Sequence, residues 1–198
     1  MLIAFEGGEG TGKSTQARLL AARLGAVLTH EPGATGVGAQ LRALSLDPAS
    51  GAIDPRTEAL LMAADRAEHV ASLIAPALAK SEHVVTDRYL YSSLAYQGFG
   101  RGLDVAEVRA LSVFAGAPEA DIVVLLTVPA GVRAERLGHA LDRFERGSDD
   151  FHERVVNGFL AMAEADPDRW VVVDGTAARD DLADRIWLAV QARLPSPS

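Results

Sequence analysis

The stretch GGEGTGKST, residues 7–15, fits the spacing G-x-x-x-x-G-K-S from Gly7 to Ser14. Glycines there let the backbone curl until successive N–H groups aim at one anion. A helix opening at the end of the loop adds its positive pole. In such a loop Lys13 would neutralise the β- and γ-phosphates of a nucleoside triphosphate, and Ser14 would ligate Mg²⁺. The candidate ATP-binding set is therefore Gly7, Gly8, Gly10, Thr11, Gly12, Lys13, Ser14 and Thr15. One residue runs against the pattern: Glu9 puts a carboxylate in the middle of an anion cradle.

The elements that must position this loop can be read on either side of it. Residues 2–5 form a short apolar run stopped by glycines, which predicts a buried strand entering the loop. Ala17, Leu20, Ala21 and Leu24 then recur at helical spacing, with Gly25 as C-terminal cap. Residues 26–30 and 83–86 read as further strands, the latter ending at Asp87. Residues 122–128 form a continuous apolar run expected of a central parallel strand, and 170–173 a fifth strand. Asp54 before Pro55 predicts the start of a long helix that Pro76 kinks or ends. Residues 104–107 resemble a capping box for a helix to about Gly116, and Leu182, Ile186, Ala189 and Val190 mark a closing helix. Strands alternating with helices predict an α/β fold with a five-stranded parallel sheet. Ligands then bind beyond the carboxyl ends of the strands, where polar residues after Phe5, His30, Asp87 and Val128 should converge on one crevice. Residues 137–150 are polar and poor in core positions, which predicts a mobile flap; residues 195–198 read as an unstructured tail.

Bulk composition narrows the classes. A chain of 198 residues predicts a single domain, 1–198, with a lid segment at about 136–150. Net charge is −8, which disfavours nucleic acid and acidic membranes as partners. The absence of cysteine excludes thiolate metal sites and fits a cytoplasmic setting; the N-terminus lacks the basic region of a signal peptide, and no stretch is long enough to span a bilayer. Of the 19 basic residues only Lys13 and Lys80 are lysines, so the loop keeps a compact ammonium in a chain that otherwise uses arginine. The five histidines show no metal-ligand spacing and read as surface or half-buried residues. No N-K-x-D segment is present, which removes the GTPase reading and leaves a kinase for a small phosphorylated acceptor.

Three further stretches specify which kinase: EPGAT with Arg42 downstream, TEALLMAADR ending at Arg66, and DRYLYSSLAYQGFGRG from Asp87. Together with the loop, and with DRFE at 142–145 as a lid match, they resemble the bacterial thymidylate kinase family, within the P-loop nucleoside monophosphate kinases. The resemblance runs in the same order from Phe5 to about Phe159. It implies ATP-dependent phosphorylation of dTMP to dTDP, with Mg²⁺, by a cytoplasmic homodimer.

It also implies roles. Arg42 and Arg88 would hold the acceptor's 5′-phosphate, as forked guanidinium groups match phosphate oxygens. Arg66, Ser93 and Gln97 would read the thymine edge, with Met62 where the family often has an aromatic platform. Tyr96 would pack near the sugar and disfavour a 2′-hydroxyl. Glu9 would face the acceptor and accept a hydrogen bond from the 3′-hydroxyl of the deoxyribose. Asp87 would share Mg²⁺ with Ser14, Glu31 being a weaker candidate. The acceptor is a phosphate monoester, largely dianionic at neutral pH, so no general base is needed. Lys13 and Arg88 would neutralise the transferring group, completed by Arg136, Arg143 and Arg146 of the flap. Two readings stay open beside this one: a kinase for another small acceptor, against which the Ser93, Tyr96 and Gln97 trio stands, and a non-catalytic nucleotide switch.

Overall fold

The computed structural model describes residues 1–136, 144 and 147–194. Among them five parallel strands form one sheet: β1 (Leu2–Glu6), β2 (Val27–His30), β3 (Val84–Asp87), β4 (Ile122–Thr127) and β5 (Trp170–Asp174), in the order β2-β3-β1-β4-β5. The first strand is central, paired with β3 on one side and β4 on the other. The chain moves to one side of β1 and later returns to the other. The loop after β1 therefore leaves from the point where strand order reverses, where a crevice must open.

The central strands are buried on both faces, and the two-residue period sorts their side chains. Leu2, Ala4, Val123 and Leu125 enter one core with Tyr89, Leu94, Phe159 and Trp170. Ile3, Phe5, Val85, Ile122, Val124 and Leu126 enter the other. There they meet Ala17, Leu20 and Ala21 of α1 (Lys13–Leu24) and Leu182, Ile186 and Val190 of α9 (Arg179–Gln191). The remaining helices are α2 (Gly36–Leu46), α3 (Pro55–His69), α4 (Ala75–Ala79), α5 (Leu90–Ser93), α6 (Val105–Phe114), α7 (Ala130–Arg136) and α8 (Asp149–Ala165). None of the helices described is long and apolar enough to cross a membrane.

The start signals do what their chemistry predicts. The Asp54 carboxylate accepts from the N–H groups of Arg56 and Thr57, and Asp104 from those of Ala106 and Glu107. Gly25 closes α1 in the left-handed conformation.

Pro76 does not end the helical run. A π-helical segment, Val70–Ile74, joins α3 to α4, and the N–H of Ala75 bonds back to Val70 O. The wider turn lets the chain carry a residue without an N–H and continue to Ala79. The flap expectation is shortened at its end. Ser148 caps α8 by accepting from the N–H of Phe151, so residues 149 and 150 are helical. Residues 137–143, 145 and 146, which include Arg143 and Arg146, and the 195–198 tail lie outside the described residues.

Candidate active site

The loop from β1 to α1 needs glycine where the backbone turns hardest. Gly7 has φ 133°, and a Cβ there would sit 2.3 Å from Leu126 O; Gly12, with φ 93°, turns the chain into α1. Lys13 is buried, and its Nζ donates to Gly8 O at 2.6 Å, inside the loop. Burial, followed by repulsion from Arg88, lowers its pKa to about 8, with Glu9, Asp87 and Glu6 opposing. The Ser14 hydroxyl donates to Asp87 Oδ2 across the end of β3. Asp87 Oδ1 is buried and has no hydrogen-bond partner. A hydroxyl beside a carboxylate with an unengaged oxygen is the hard-oxygen set that Mg²⁺ accepts when phosphates supply its other ligands. Among the described residues no cluster of three or more His, Asp or Glu could hold a metal by itself.

Glu9 turns away from the loop interior. Its carboxylate receives Arg88 NH2 and, at 3.3 Å, the Tyr96 hydroxyl. Burial alone would raise its pKa, but the charges of Arg88 and Lys13 outweigh that and hold it at about 2. Arg88 has φ 68°, a left-handed backbone that a long side chain rarely adopts. Its N–H bonds Phe5 O at 2.9 Å, and its carbonyl accepts from Thr86 Oγ1 at 2.7 Å. Those two bonds hold the turn that swings the guanidinium over the Tyr96 ring, 5.1 Å from its centroid. Its NH1 donates to Ser92 Oγ at 3.0 Å.

Beneath this turn lies Glu6, which the sequence reading missed. It is fully buried and accepts from the N–H groups of Tyr89 and Ser92 and from Ser92 Oγ at 2.6 Å. Burial pushes its pKa up to about 7. Glu6 therefore ties β1 to the start of α5 and, through Ser92, orients Arg88. Its only signal in sequence was a carboxylate directly after an apolar strand.

Arg66, which lines the same crevice, is buried and already engaged. It donates to Glu31 at 2.8 Å, to Ser112 Oγ at 3.0 Å and to Ser93 Oγ at 3.0 Å. Glu31 also bonds His69, whose other ring nitrogen meets Thr29 Oγ1 at 2.7 Å. His69 is thus fully buried, contrary to the surface or half-buried reading of the histidines: at the end of α3 it bonds Thr29 of β2. Glu31 serves this network rather than the Ser14 and Asp87 pair.

A π-helical segment, Leu94–Gly100, extends α5 and presents Tyr96 and Gln97 to the same crevice. Tyr96 packs edge-on against Phe144, Phe151 and Phe159 while its hydroxyl reaches Glu9. Gln97 Nε2 donates to Glu58 at 2.9 Å. Met62 lines the wall, and Arg42, exposed, folds over Gly33 with NH1 on Pro32 O at 2.8 Å.

Glu9, Lys13, Ser14, Arg42, Met62, Arg66, Asp87, Arg88, Ser93, Tyr96 and Gln97 thus line one cavity of about 570 Å³, a size suited to a mononucleotide. Arg136 does not join them. Its NH1 donates to Gly175 O at 3.0 Å and reaches Gly10 O at 3.4 Å, on the far side of the loop.

The family model described as thymidylate kinase matches residues 5–186. A thymidylate kinase of Synechococcus sp. (strain JA-2-3B'a(2-13)) is 45% identical over 98% of this chain and 96% of its own. One from Clavibacter michiganensis subsp. michiganensis is 44% identical over 97% and 95%. The crystal structure of thymidylate kinase from Ehrlichia chaffeensis superposes with a TM-score of 0.79 at 29% identity, covering 96% of this chain and 98% of that one. With one crevice shaped for a mononucleotide and kinship along nearly the whole chain, the protein belongs to the thymidylate kinase family.

Proposed function

We propose that the 570 Å³ crevice holds dTMP while the loop of residues 7–15 holds the phosphates of ATP. The reaction is that of the family: the chain phosphorylates dTMP to dTDP at the expense of ATP, in the supply of dTTP. The observation that carries the assignment of residues is that Lys13, Arg42 and Arg88 line the same cavity as Arg66, Ser93 and Gln97.

A phosphate oxygen of dTMP attacks the γ-phosphorus of ATP in line, and the bond to the bridging oxygen of ADP breaks. The attacking oxygen is already deprotonated, so no residue acts as base. Arg42 and Arg88 hold the acceptor phosphate and offset its repulsion from the donor. Lys13 neutralises the β- and γ-phosphates from within the loop. Ser14 and Asp87 would hold Mg²⁺, which when bound adds charge neutralisation at the phosphates. Glu9 accepts from the sugar 3′-hydroxyl while also pairing with Arg88, and Tyr96 closes the sugar side. Met62 packs on the ring face, and Ser93, Arg66 and Gln97 meet its polar edge. Arg136, Arg143 and Arg146 are proposed to complete the cationic set when both nucleotides are bound.

We further propose that the protein works as a single domain, in the cytoplasm, as a homodimer. In support of the dimer, Leu60 of α3 and Val113 and Phe114 of α6 are exposed on two helices packed against each other. Sedimentation equilibrium showing only monomer would end that part of the reading.

Arg42→Ala should raise KM for dTMP by about tenfold or more, the cost of one charge-assisted contact, and leave KM for ATP within about twofold. Equal effects on both substrates would remove Arg42 from the acceptor phosphate.

A further inference from the structure

We propose that Glu58 sets which face of the Gln97 amide meets the base, and so selects a pyrimidine carrying a proton on N3. The inference rests on the reading that the base lies beside Gln97.

Glu58 stands in the first turn of α3 and is fully buried. Its carboxylate accepts from Gln97 Nε2 at 2.9 Å and from Arg101 Nε and NH2 at 3.3 and 3.2 Å. A guanidinium only donates, so Glu58 is the acceptor in this cluster. The group of Gln97 that faces it must then be the NH₂. The reversed amide would set two oxygens against each other at 2.9 Å, out of reach of water. Arg101 is itself held, its guanidinium lying 4.4 Å from the Phe151 ring centroid.

The consequence falls on the other end of the amide. Gln97 Oε1 is buried, has no hydrogen-bond partner, and belongs to a side chain that lines the crevice. It is a fixed acceptor awaiting a donor. Thymine and uracil bring N3–H to such a group. Cytosine brings a lone pair at N3 and would face oxygen with nitrogen, neither carrying a proton. An unrestrained glutamine would serve both kinds of ring, because its amide can rotate by half a turn and offer NH₂ instead. Glu58 removes that freedom. The device does not separate thymine from uracil, which present the same edge at N3.

The test compares kcat/KM for dTMP, dUMP and dCMP in the unmodified protein, Glu58→Gln and Gln97→Ala. Glutamine at 58 can accept or donate, so the Gln97 amide is free to turn. In Glu58→Gln the dTMP-to-dCMP ratio should fall by about tenfold or more while the dTMP-to-dUMP ratio stays within about twofold. An unchanged dTMP-to-dCMP ratio, with Gln97→Ala still impairing dTMP, would overturn the role of Glu58 and leave Gln97 at the base. Unchanged constants in Gln97→Ala would overturn the underlying reading as well. Should Glu58→Gln fail to fold, side-chain amide NMR of the unmodified protein decides. One Gln97 NH₂ proton should be deshielded and protected from exchange before nucleotide is added. Free exchange of both NH₂ protons with solvent would refute the proposal.

Discussion

Lys13 shows how a single residue is tuned by where it sits. Its ammonium lies inside the loop it serves, on Gly8 O, and burial beside Arg88 lowers its pKa to about 8. In the free protein the charge is lost as pH rises through that value. Bound phosphates favour the charged form and push the loss to higher pH. The expected result is a kcat/KM for ATP that declines between about pH 7 and about pH 9, with kcat holding further into the alkaline range. A flat kcat/KM over that interval would place the ammonium elsewhere. Glu9 can be read the same way: the carboxylate that looked misplaced in an anion loop is turned to Arg88 and Tyr96. Residue types at motif spacing were legible in sequence, from Gly7 through Ser14 and from Asp87 through Gln97. Their partners were not. Glu6 on Ser92, Glu31 on Arg66 and Glu58 on Gln97 join side chains 86, 35 and 39 positions apart, and local patterning carries no record of such pairs.

Among elements, the segment after Ser93 matters most. Its wide π turns set Tyr96 and Gln97 toward the crevice, and it carries two glycines of its own, Gly98 and Gly100. It packs closely on α8: a Cβ at Gly158 would lie 2.6 Å from the Phe99 ring, and one at Gly100 would lie 2.7 Å from Phe151. Gly158→Ala should therefore overpack this contact at a cost of ~1–3 kcal/mol, lowering Tm by ~2–4 °C per kcal/mol. Because the displaced segment carries Tyr96 and Gln97, KM for dTMP should rise as well. A variant with native Tm and native KM would show that the contact does not govern the segment. The strands and the capped helix starts were readable, since period-two and period-3.6 patterns and Asp or Gly caps are local. Both π-helical segments were not, and Pro76 gave the wrong emphasis for that reason.

On the scale of the whole molecule, the order β2-β3-β1-β4-β5 brings the ends of β1 and β3 side by side, with Phe5 opposite Asp87. That pairing puts the phosphate loop next to the Asp87 and Arg88 turn, although 73 residues separate Ser14 from Asp87. An acidic chain of net charge −8 thereby gathers Lys13, Arg42, Arg66 and Arg88 around one cavity. The attraction is local, which suits a small anionic acceptor and not a polyanion. The central claim is that this cavity takes thymidine monophosphate and presents its phosphate, rather than a hydroxyl, to ATP. The most direct measurement is ADP release with ATP and Mg²⁺ when dTMP, dUMP, CMP or thymidine is offered as acceptor. The account predicts the highest kcat/KM for dTMP and no turnover of thymidine, which lacks the attacking phosphate. Phosphorylation of thymidine, or ATP binding without ADP release in the presence of dTMP, would contradict it.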